Sequence, residues 1–127
     1  MKLRFDRNSL RLRLKKSDLE KLRNENVITE IIPFPQGTFA YSLWIEKDQQ
    51  EVSAMVEERS VKVMVPNGIA LTWMNNNEVG IYHTMQVDEN KNLDIIIEKD
   101  FPCKEAREQD PRDFFTPDDV AIPPNQC

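Results

Sequence analysis

Apolar and polar residues alternate along several stretches of the chain, which predicts β-strands with one face on a core and one face in water. The clearest stretch runs from Asn8 to Leu14, where leucine occupies every second position and Arg11 and Arg13 lie between. Other stretches of alternating residues, or of β-branched residues, flank it on both sides. The strands predicted in the first fifty residues are Met1 to Asp6, Leu10 to Leu14, Val27 to Phe34 and Thr38 to Glu46.

A short helix is predicted between the second and third of these strands. Ser17 and Glu20 have the three-residue spacing of a capping box, in which each side chain satisfies a free backbone N–H at a helix start. Leu19 and Leu22 give the helix one apolar side, and Asn26 supplies a residue type that favours a helix end. The predicted order is therefore strand, strand, helix, strand, strand.

The second half of the chain repeats this order. Val61, Val63 and Val65 alternate as the leucines do, fifty-one residues later, and a second helix is predicted after Asn67. The strand ending at Ile97 to Asp100 repeats the sequence of Ile45 to Asp48 at an offset of fifty-two. Two β-rich halves can look alike by accident, but the agreement of several features in order favours two tandem units, residues 1–50 and 51–100. The other strands predicted here are Val52 to Val56, Val79 to Val87 and Leu93 to Lys99.

Length and composition indicate one compact domain with a tail. A chain of 127 residues, 39% of them hydrophobic, can build one ordinary core and is too short for two large ones. No run of about eighteen apolar residues is present, so neither a transmembrane helix nor a signal peptide is predicted, and we expect a cytoplasmic protein. The fold class expected is mainly β with two short helices (α+β), in one barrel-like domain over residues 1–100.

Charge is distributed unevenly along the chain. Residues 1–25 carry nine Lys or Arg and four acids, whereas the whole chain has a formal net charge of −5. A charged outer strand face is ordinary for a solvated sheet. The alternative is an electrostatic surface for an acidic partner.

The unit of strand, Asn-Ser turn, apolar strand, helix and hairpin resembles the swapped-hairpin domains of the AbrB/MazE family. Their pattern runs approximately R-x-G-N-S-x-x-x-R-[IVL]-P. Asn8 and Ser9 match the N-S pair and Arg13 matches the arginine, while Arg7 replaces the glycine and Lys15 the proline. The whole chain also resembles a family of small uncharacterised bacterial proteins that begin M-K-[IL]-R and close with E-K-D-F.

The resemblance implies a barrel of interleaved strands that binds DNA through basic residues. Family members are homodimers, so a tandem chain would form the barrel alone, as a monomeric pseudo-dimer. The second half offers fewer cations, which weakens a two-fold DNA surface because phosphate contacts dominate such binding. The candidate nucleic-acid-binding residues are Arg4, Arg7, Asn8, Arg11, Arg13 and Lys15.

No catalytic or metal-binding constellation is visible in the sequence. His83 is the only histidine and lies on an apolar strand face, where a core side chain is the more common interpretation. Cys103 has no ligand spacing around it. We therefore predict no catalytic residue, no metal and no cofactor. An enzyme would require a pocket that joins Cys103, His83 and an acid.

The C-terminal segment, residues 101–127, is acidic and rich in proline. Its Phe114-Phe115 pair resembles the anchors with which MazE-like antitoxins hold a toxin, and packing of the tail on its own domain is the alternative. Two functions follow for a small non-catalytic macromolecule-binding module. One is a DNA-binding or antitoxin-like regulator. The other is a protein–protein interaction module that has lost DNA binding.

Overall fold

The computed structural model describes residues 1–101, which form eight strands and two helices. The predicted order of elements is confirmed in both halves, because each half runs strand, strand, helix, strand, strand. The elements of the first half are β1 (Lys2–Asp6), β2 (Ser9–Leu14), α1 (Lys16–Glu25), β3 (Val27–Phe34) and β4 (Gly37–Glu46). Those of the second are β5 (Ser53–Glu57), β6 (Ser60–Pro66), α2 (Asn67–Asn75), β7 (Gly80–Gln86) and β8 (Asn92–Lys99).

The strands form two four-stranded sheets, in the orders β1-β2-β8-β7 and β3-β4-β6-β5. Each sheet combines one antiparallel hairpin from each half of the chain, joined by a parallel pair, β2 with β8 or β4 with β6. The sequence predicts a barrel-like domain, but among the described residues neither sheet closes into a barrel. Closure requires hydrogen bonds between the first and last strands of a sheet, whereas here the outermost strands pair on one side only.

One hydrophobic cluster lies between the inner faces of the two sheets. Leu12 on β2 pairs in register with Ile97 on β8, and Val63 on β6 pairs with Leu43 on β4. All four side chains are at most 1% exposed. The helices complete the cluster with Leu19, Leu22, Ala70 and Trp73. The alternation of leucine or valine with polar residues therefore does mark the core faces of β2 and β6.

The first hairpins of the two halves share local details fifty-one residues apart. The Ser9 hydroxyl donates to the Asp6 carbonyl at 2.7 Å, and the Ser60 hydroxyl donates to the Glu57 carbonyl at 3.1 Å. A non-glycine residue with positive φ starts each two-residue turn: Arg7 at 55° and Glu58 at 44°. The two turns therefore use the same backbone conformation.

The second hairpins do not follow the offset of fifty-two that the repeated Ile-Glu-Lys-Asp sequence predicts. The Ile45 N–H donates to the Asn26 carbonyl, and in the other half it is the Lys99 N–H that donates to the Val79 carbonyl, both at 2.9 Å. Ile45 thus corresponds to Lys99, fifty-four positions later, and the repeated tetrapeptides are not structurally equivalent. Extra residues before β7 and in the longer β7–β8 connection account for the shift.

The start of α1 also differs from the prediction. The Lys15 N–H donates to the Asp18 carboxylate at 2.9 Å, and the helix begins at Lys16 rather than after Ser17. Strand β2 ends at Leu14, so only Lys15 separates the two elements and the cap falls two residues early. The predicted end is confirmed: Asn26 is left-handed, with φ of 62°, and its N–H donates to the Leu22 carbonyl.

Candidate functional site

Three of the predicted nucleic-acid-binding arginines lie together on the outer face of the sheet β1-β2-β8-β7, called face A below. Arg4 on β1 lies directly opposite Arg11 on β2, and Lys2 lies opposite Arg13. Like charges directly across an antiparallel pair destabilise it unless other groups compensate. Face A therefore needs acidic side chains within the same sheet.

Strand β8 and the ends of the sheet supply those acids. Glu98 Oε1 lies 3.3 Å from Arg11 Nε and 3.8 Å from Arg13 Nε, and its Oε2 accepts a hydrogen bond from the Tyr82 hydroxyl at 3.0 Å. The Glu98 side chain is only 16% exposed. Asp100 pairs with Lys2 at 3.2 Å, and Asp6 with Arg4 at 3.8 Å. Much of the positive charge of face A is thus compensated within the molecule.

The other three predicted residues lie away from this cluster. Arg7 and Asn8 form the exposed two-residue turn between β1 and β2, and Lys15 is exposed at the opposite end of β2. Eight residues of extended chain separate Arg7 from Lys15 by about 25 Å. Among the described residues, no carboxylate lies within 4.0 Å of either side chain. Of the six candidates, Arg4, Arg11 and Arg13 therefore form one charged cluster. Arg7 and Asn8 lie beyond one end of this cluster, and Lys15 lies beyond the other.

The outer face of the sheet β3-β4-β6-β5, called face B below, carries more apolar side chains than face A. Ile31 is 65% exposed and Met55 is 40% exposed, and half-buried Trp44 and Met64 lie next to each other in the ladder. Lys62 Nζ lies 5.4 Å from the centre of the Trp44 ring and 3.4 Å from the Glu57 carboxylate.

Face B is not predicted by the sequence, which favours core positions for both tryptophans. Trp73 is 1% exposed in the core. The prediction is wrong for Trp44, which lies on the outside and whose indole N–H donates to the Ser42 hydroxyl at 2.8 Å. The available signal was the position of Trp44 and Met64, each of which neighbours a core residue along its strand. Neighbouring strand residues point to opposite sides, so both had to face outward.

Faces A and B carry different side chains at equivalent ladder positions. Arg13 pairs with Glu98 on face A where Met64 pairs with Trp44 on face B. Likewise, Arg4 on face A is equivalent in position to Met55 on face B, and Thr84 on face A is equivalent to Ile31 on face B. Face A shows that this sheet geometry accepts charged and polar residues at these positions. The apolar character of face B is therefore not imposed by the fold.

A third polar cluster surrounds the amino group of Met1. The amino nitrogen lies 3.1 Å from the Asp18 carboxylate and 3.0 Å from that of Glu30, while the Tyr41 hydroxyl donates to the Met1 carbonyl at 2.7 Å. Burial, and then the negative charges of Glu30 and Asp18, raise the pKa of Tyr41 above its ordinary value of 10.0. The cluster joins the start of β1 to α1, β3 and β4.

We expect Tyr41 to titrate at a higher pH in the folded chain than in the unfolded chain. Its folded pKa is raised, so its contribution to stability is complete below pH 10.0 and is lost as the pH rises through the folded value. A phenolate also has no proton to donate to Met1. Ultraviolet absorbance, with Tyr41→Phe to identify the signal, measures this titration.

Glu30→Gln should lower the midpoint of that titration, because one of the two nearby negative charges is removed. Glu57→Gln removes a charge of the same sign on face B and serves as the control. Equal midpoints for Glu30→Gln and the unmodified chain would contradict this account of the cluster.

Among residues 1–101, no three His, Cys, Asp or Glu side chains converge as a metal site. His83 is half-buried opposite Ile95 and lines an open cleft of about 640 Å³ against the segment 49–53.

The enzyme hypothesis also involves Cys103, which lies outside the described residues, as do Phe114 and Phe115 of the proposed partner-binding tail. No helix in the described part of the chain is long and apolar enough to cross a membrane.

The chain matches the model of one protein family along most of its length. The model of a family described as "Family of unknown function (DUF7009)" matches residues 1–118. No curated protein and no solved structure matches the chain. The match covers both halves and extends beyond β8 into the acidic, proline-rich segment.

Proposed function

Because this chain belongs to DUF7009, a family of unknown function, we propose its role from its own geometry: it is a non-catalytic module that binds a protein partner through face B. The observation that carries this proposal is the apolar outer face around Ile31, Trp44 and Met64. Exposed apolar side chains on one sheet face are typical of an interaction surface. Lys62 lies within this face, in register with Ser42 and Met55, and the Glu57 carboxylate lies 3.4 Å from its Nζ.

The proposed scaffold is a single-chain version of the swapped-hairpin fold, similar to AbrB/MazE domains. The exchange of hairpins between halves supports it, since each sheet takes one hairpin from residues 1–50 and one from residues 51–100. In such a scaffold the outer faces of both sheets are available to partners. This chain offers two unlike faces, so we propose that it binds its partner asymmetrically.

The partner proposed for face B is a protein with an apolar docking segment. Covering Ile31 and Met55 removes apolar surface from water, which contributes about 25 cal/mol for each Å² buried. Trp44 adds a large rigid side chain of the kind that dominates binding energy at interfaces. The apolar side chains of face B, together with the pairing of Lys62 with Glu57, favour this partner over a phosphate backbone.

Ile31→Lys tests this proposal. Ile31 is exposed, so lysine is expected to leave the fold intact while placing a charge in the docking surface. We expect recovery of the partner from a lysate of the cells that make the chain to fall about tenfold or more, measured by quantitative mass spectrometry. Thr84→Lys places the same side chain at the equivalent position of face A and should leave recovery unchanged. Equal recovery with both variants would refute the use of face B.

Duplex DNA is the second candidate partner, favoured by the exposed Arg7 and Lys15 at the two ends of β2. In this alternative Arg4, Asn8, Arg11 and Arg13 lie between these two cations and contact the backbone, as in a DNA-binding or antitoxin-like regulator. Binding should then weaken steeply with salt, and Arg7→Glu combined with Lys15→Glu should abolish it at low salt. Arg59→Glu at the turn of the second half is the control. Flat titrations at low salt would exclude this candidate.

A further inference from the structure

Within residues 1–101, strand β5 is an edge strand without the usual protection against pairing with another strand. Natural edge strands are blunted by charged residues, by proline, or by a covering segment. Strand β1, at the equivalent edge of the other sheet, carries Lys2, Arg4 and Asp6. Strand β5 reads Ser-Ala-Met-Val-Glu, and its one charged residue, Glu57, is at its end.

The other two edges are better protected. Strand β3 contains Pro33, which has no N–H to offer, and α1 packs against this strand. Strand β7 faces the segment 49–53 across the cleft that contains His83. Among the described residues, β5 therefore presents the least protected edge.

The register of the β5–β6 hairpin identifies the backbone groups at that edge. A two-residue turn joins Glu57 to Ser60, and such a turn closes on a hydrogen-bonded pair. Hydrogen-bonded and non-hydrogen-bonded pairs alternate along the ladder, so Met55 also bonds to β6. The N–H and C=O groups of Ala54 and Val56 therefore point away from β6.

From this arrangement we infer that β5 pairs with β5 of a second copy of the chain, antiparallel, about a two-fold axis at Met55. Ala54 of each copy then forms a hydrogen-bonded pair with Val56 of the other, which gives four backbone hydrogen bonds. Ser53 lies opposite the partner's Glu57, so a hydroxyl meets a carboxylate and no like charges oppose each other. The two β3-β4-β6-β5 sheets join into one eight-stranded sheet.

The same operation on β1 is unfavourable, which makes the inference specific to β5. A two-fold axis at the centre of β1 would place Arg4 against Arg4 of the second copy, next to Arg11 of each chain. At β5 the central side chain is Met55, which is apolar and 40% exposed, and Val56 beside it is 74% exposed. Pairing covers apolar surface at β5 and opposes like charges at β1.

The sequence predicts a monomer because one chain supplies both halves of the fold, whereas the β5 edge favours a reversible dimer. A short edge-to-edge contact buries little surface, so its dissociation constant should be about 10 µM or weaker. Sedimentation equilibrium of the full chain should show an average mass that rises with concentration from one chain toward two. A single-chain mass at every concentration, up to about 1 mM, would overturn the inference.

Met55→Lys should remove this dimerisation. It places two lysines opposite each other at the axis, with Lys62 of each chain on the adjacent strand. Ile31→Lys makes the same change on the opposite edge strand of the same face and should leave the mass distribution unchanged. The dimer is thus distinguished from the partner site, since Ile31→Lys affects only partner recovery. An unchanged dimer in Met55→Lys would show that association uses another surface.

A cysteine at the axis tests the register directly. In a chain with Cys103→Ser and Cys127→Ser, Met55→Cys brings two thiols together in a non-hydrogen-bonded pair, where Cβ atoms come within about 5 Å. Mild oxidation should therefore yield a covalent dimer. Val56→Cys, which lies opposite Ala54 rather than itself, should yield little. Equal cross-linking of both variants would contradict the proposed axis.

Discussion

Replacing Trp73 by alanine is expected to lower the free energy of unfolding by about 4 kcal/mol, the range for deleting a large buried aromatic side chain. Trp73 is 1% exposed and is the largest of the fully buried side chains. Its indole N–H donates to the Val79 carbonyl at 3.1 Å, and Lys99 Nζ lies 5.8 Å from its ring centre. The substitution therefore opens a cavity and removes contacts that tie α2 to β7 and β8.

Urea unfolding followed by circular dichroism measures this loss without depending on the deleted fluorophore. Leu71→Ala is the matched control, because Leu71 lies on the same helix and is 43% exposed. We expect it to change the free energy of unfolding by less than about 0.5 kcal/mol. Similar losses in the two variants would contradict the central place of Trp73 in the core.

Glu98→Gln is expected to lower the free energy of unfolding by about 2 kcal/mol, because it leaves several cations of face A without the carboxylate between them. Glu98 Oε1 lies near Nε of both Arg11 and Arg13. Glutamine keeps the size of the side chain and can still accept the Tyr82 hydroxyl. The loss should shrink as salt is added, since salt screens the repulsion among the remaining cations.

Asp94→Asn separates this local effect from a change in net charge. Asp94 is on the same strand and the same face, but it accepts a hydrogen bond from the Thr84 hydroxyl at 2.8 Å and is exposed. We expect a loss below about 1 kcal/mol for this variant. If urea unfolding gave the same value for both variants at low salt, the pairing of Glu98 with Arg11 and Arg13 would have no special role.

The Glu98 pairing also bears on the choice between partners. An acidic side chain between Arg11 and Arg13 competes with any phosphate that approaches face A. If DNA is nevertheless bound, Glu98→Gln should strengthen the binding at low salt. On face B, the part of the chain that the structure describes has only the Lys62–Glu57 pair, and Ile31 and Met55 are exposed apolar side chains. This difference is why we place the protein partner on face B.

The sequence alone determined the local structure of this protein. Alternating leucine or valine marks β2 and β6, and Asn26 ends α1, because these features depend on residues close together in the chain. Strand boundaries agree with the alternation to within about two residues. Of the candidate site, the sequence also placed Arg11 and Arg13 on one face of β2, since residues two apart point to the same side.

The tertiary structure alone decided how those elements combine. Glu98 neutralises arginines more than eighty residues away only because β8, rather than β4, lies beside β2. That exchange of hairpins also brings Trp44 of the first half next to Met64 of the second half on face B. The alternation of residues determines which face of a strand is apolar. Which strands pair with each other depends on the apolar surface that the two halves bury together. No local pattern contains that information.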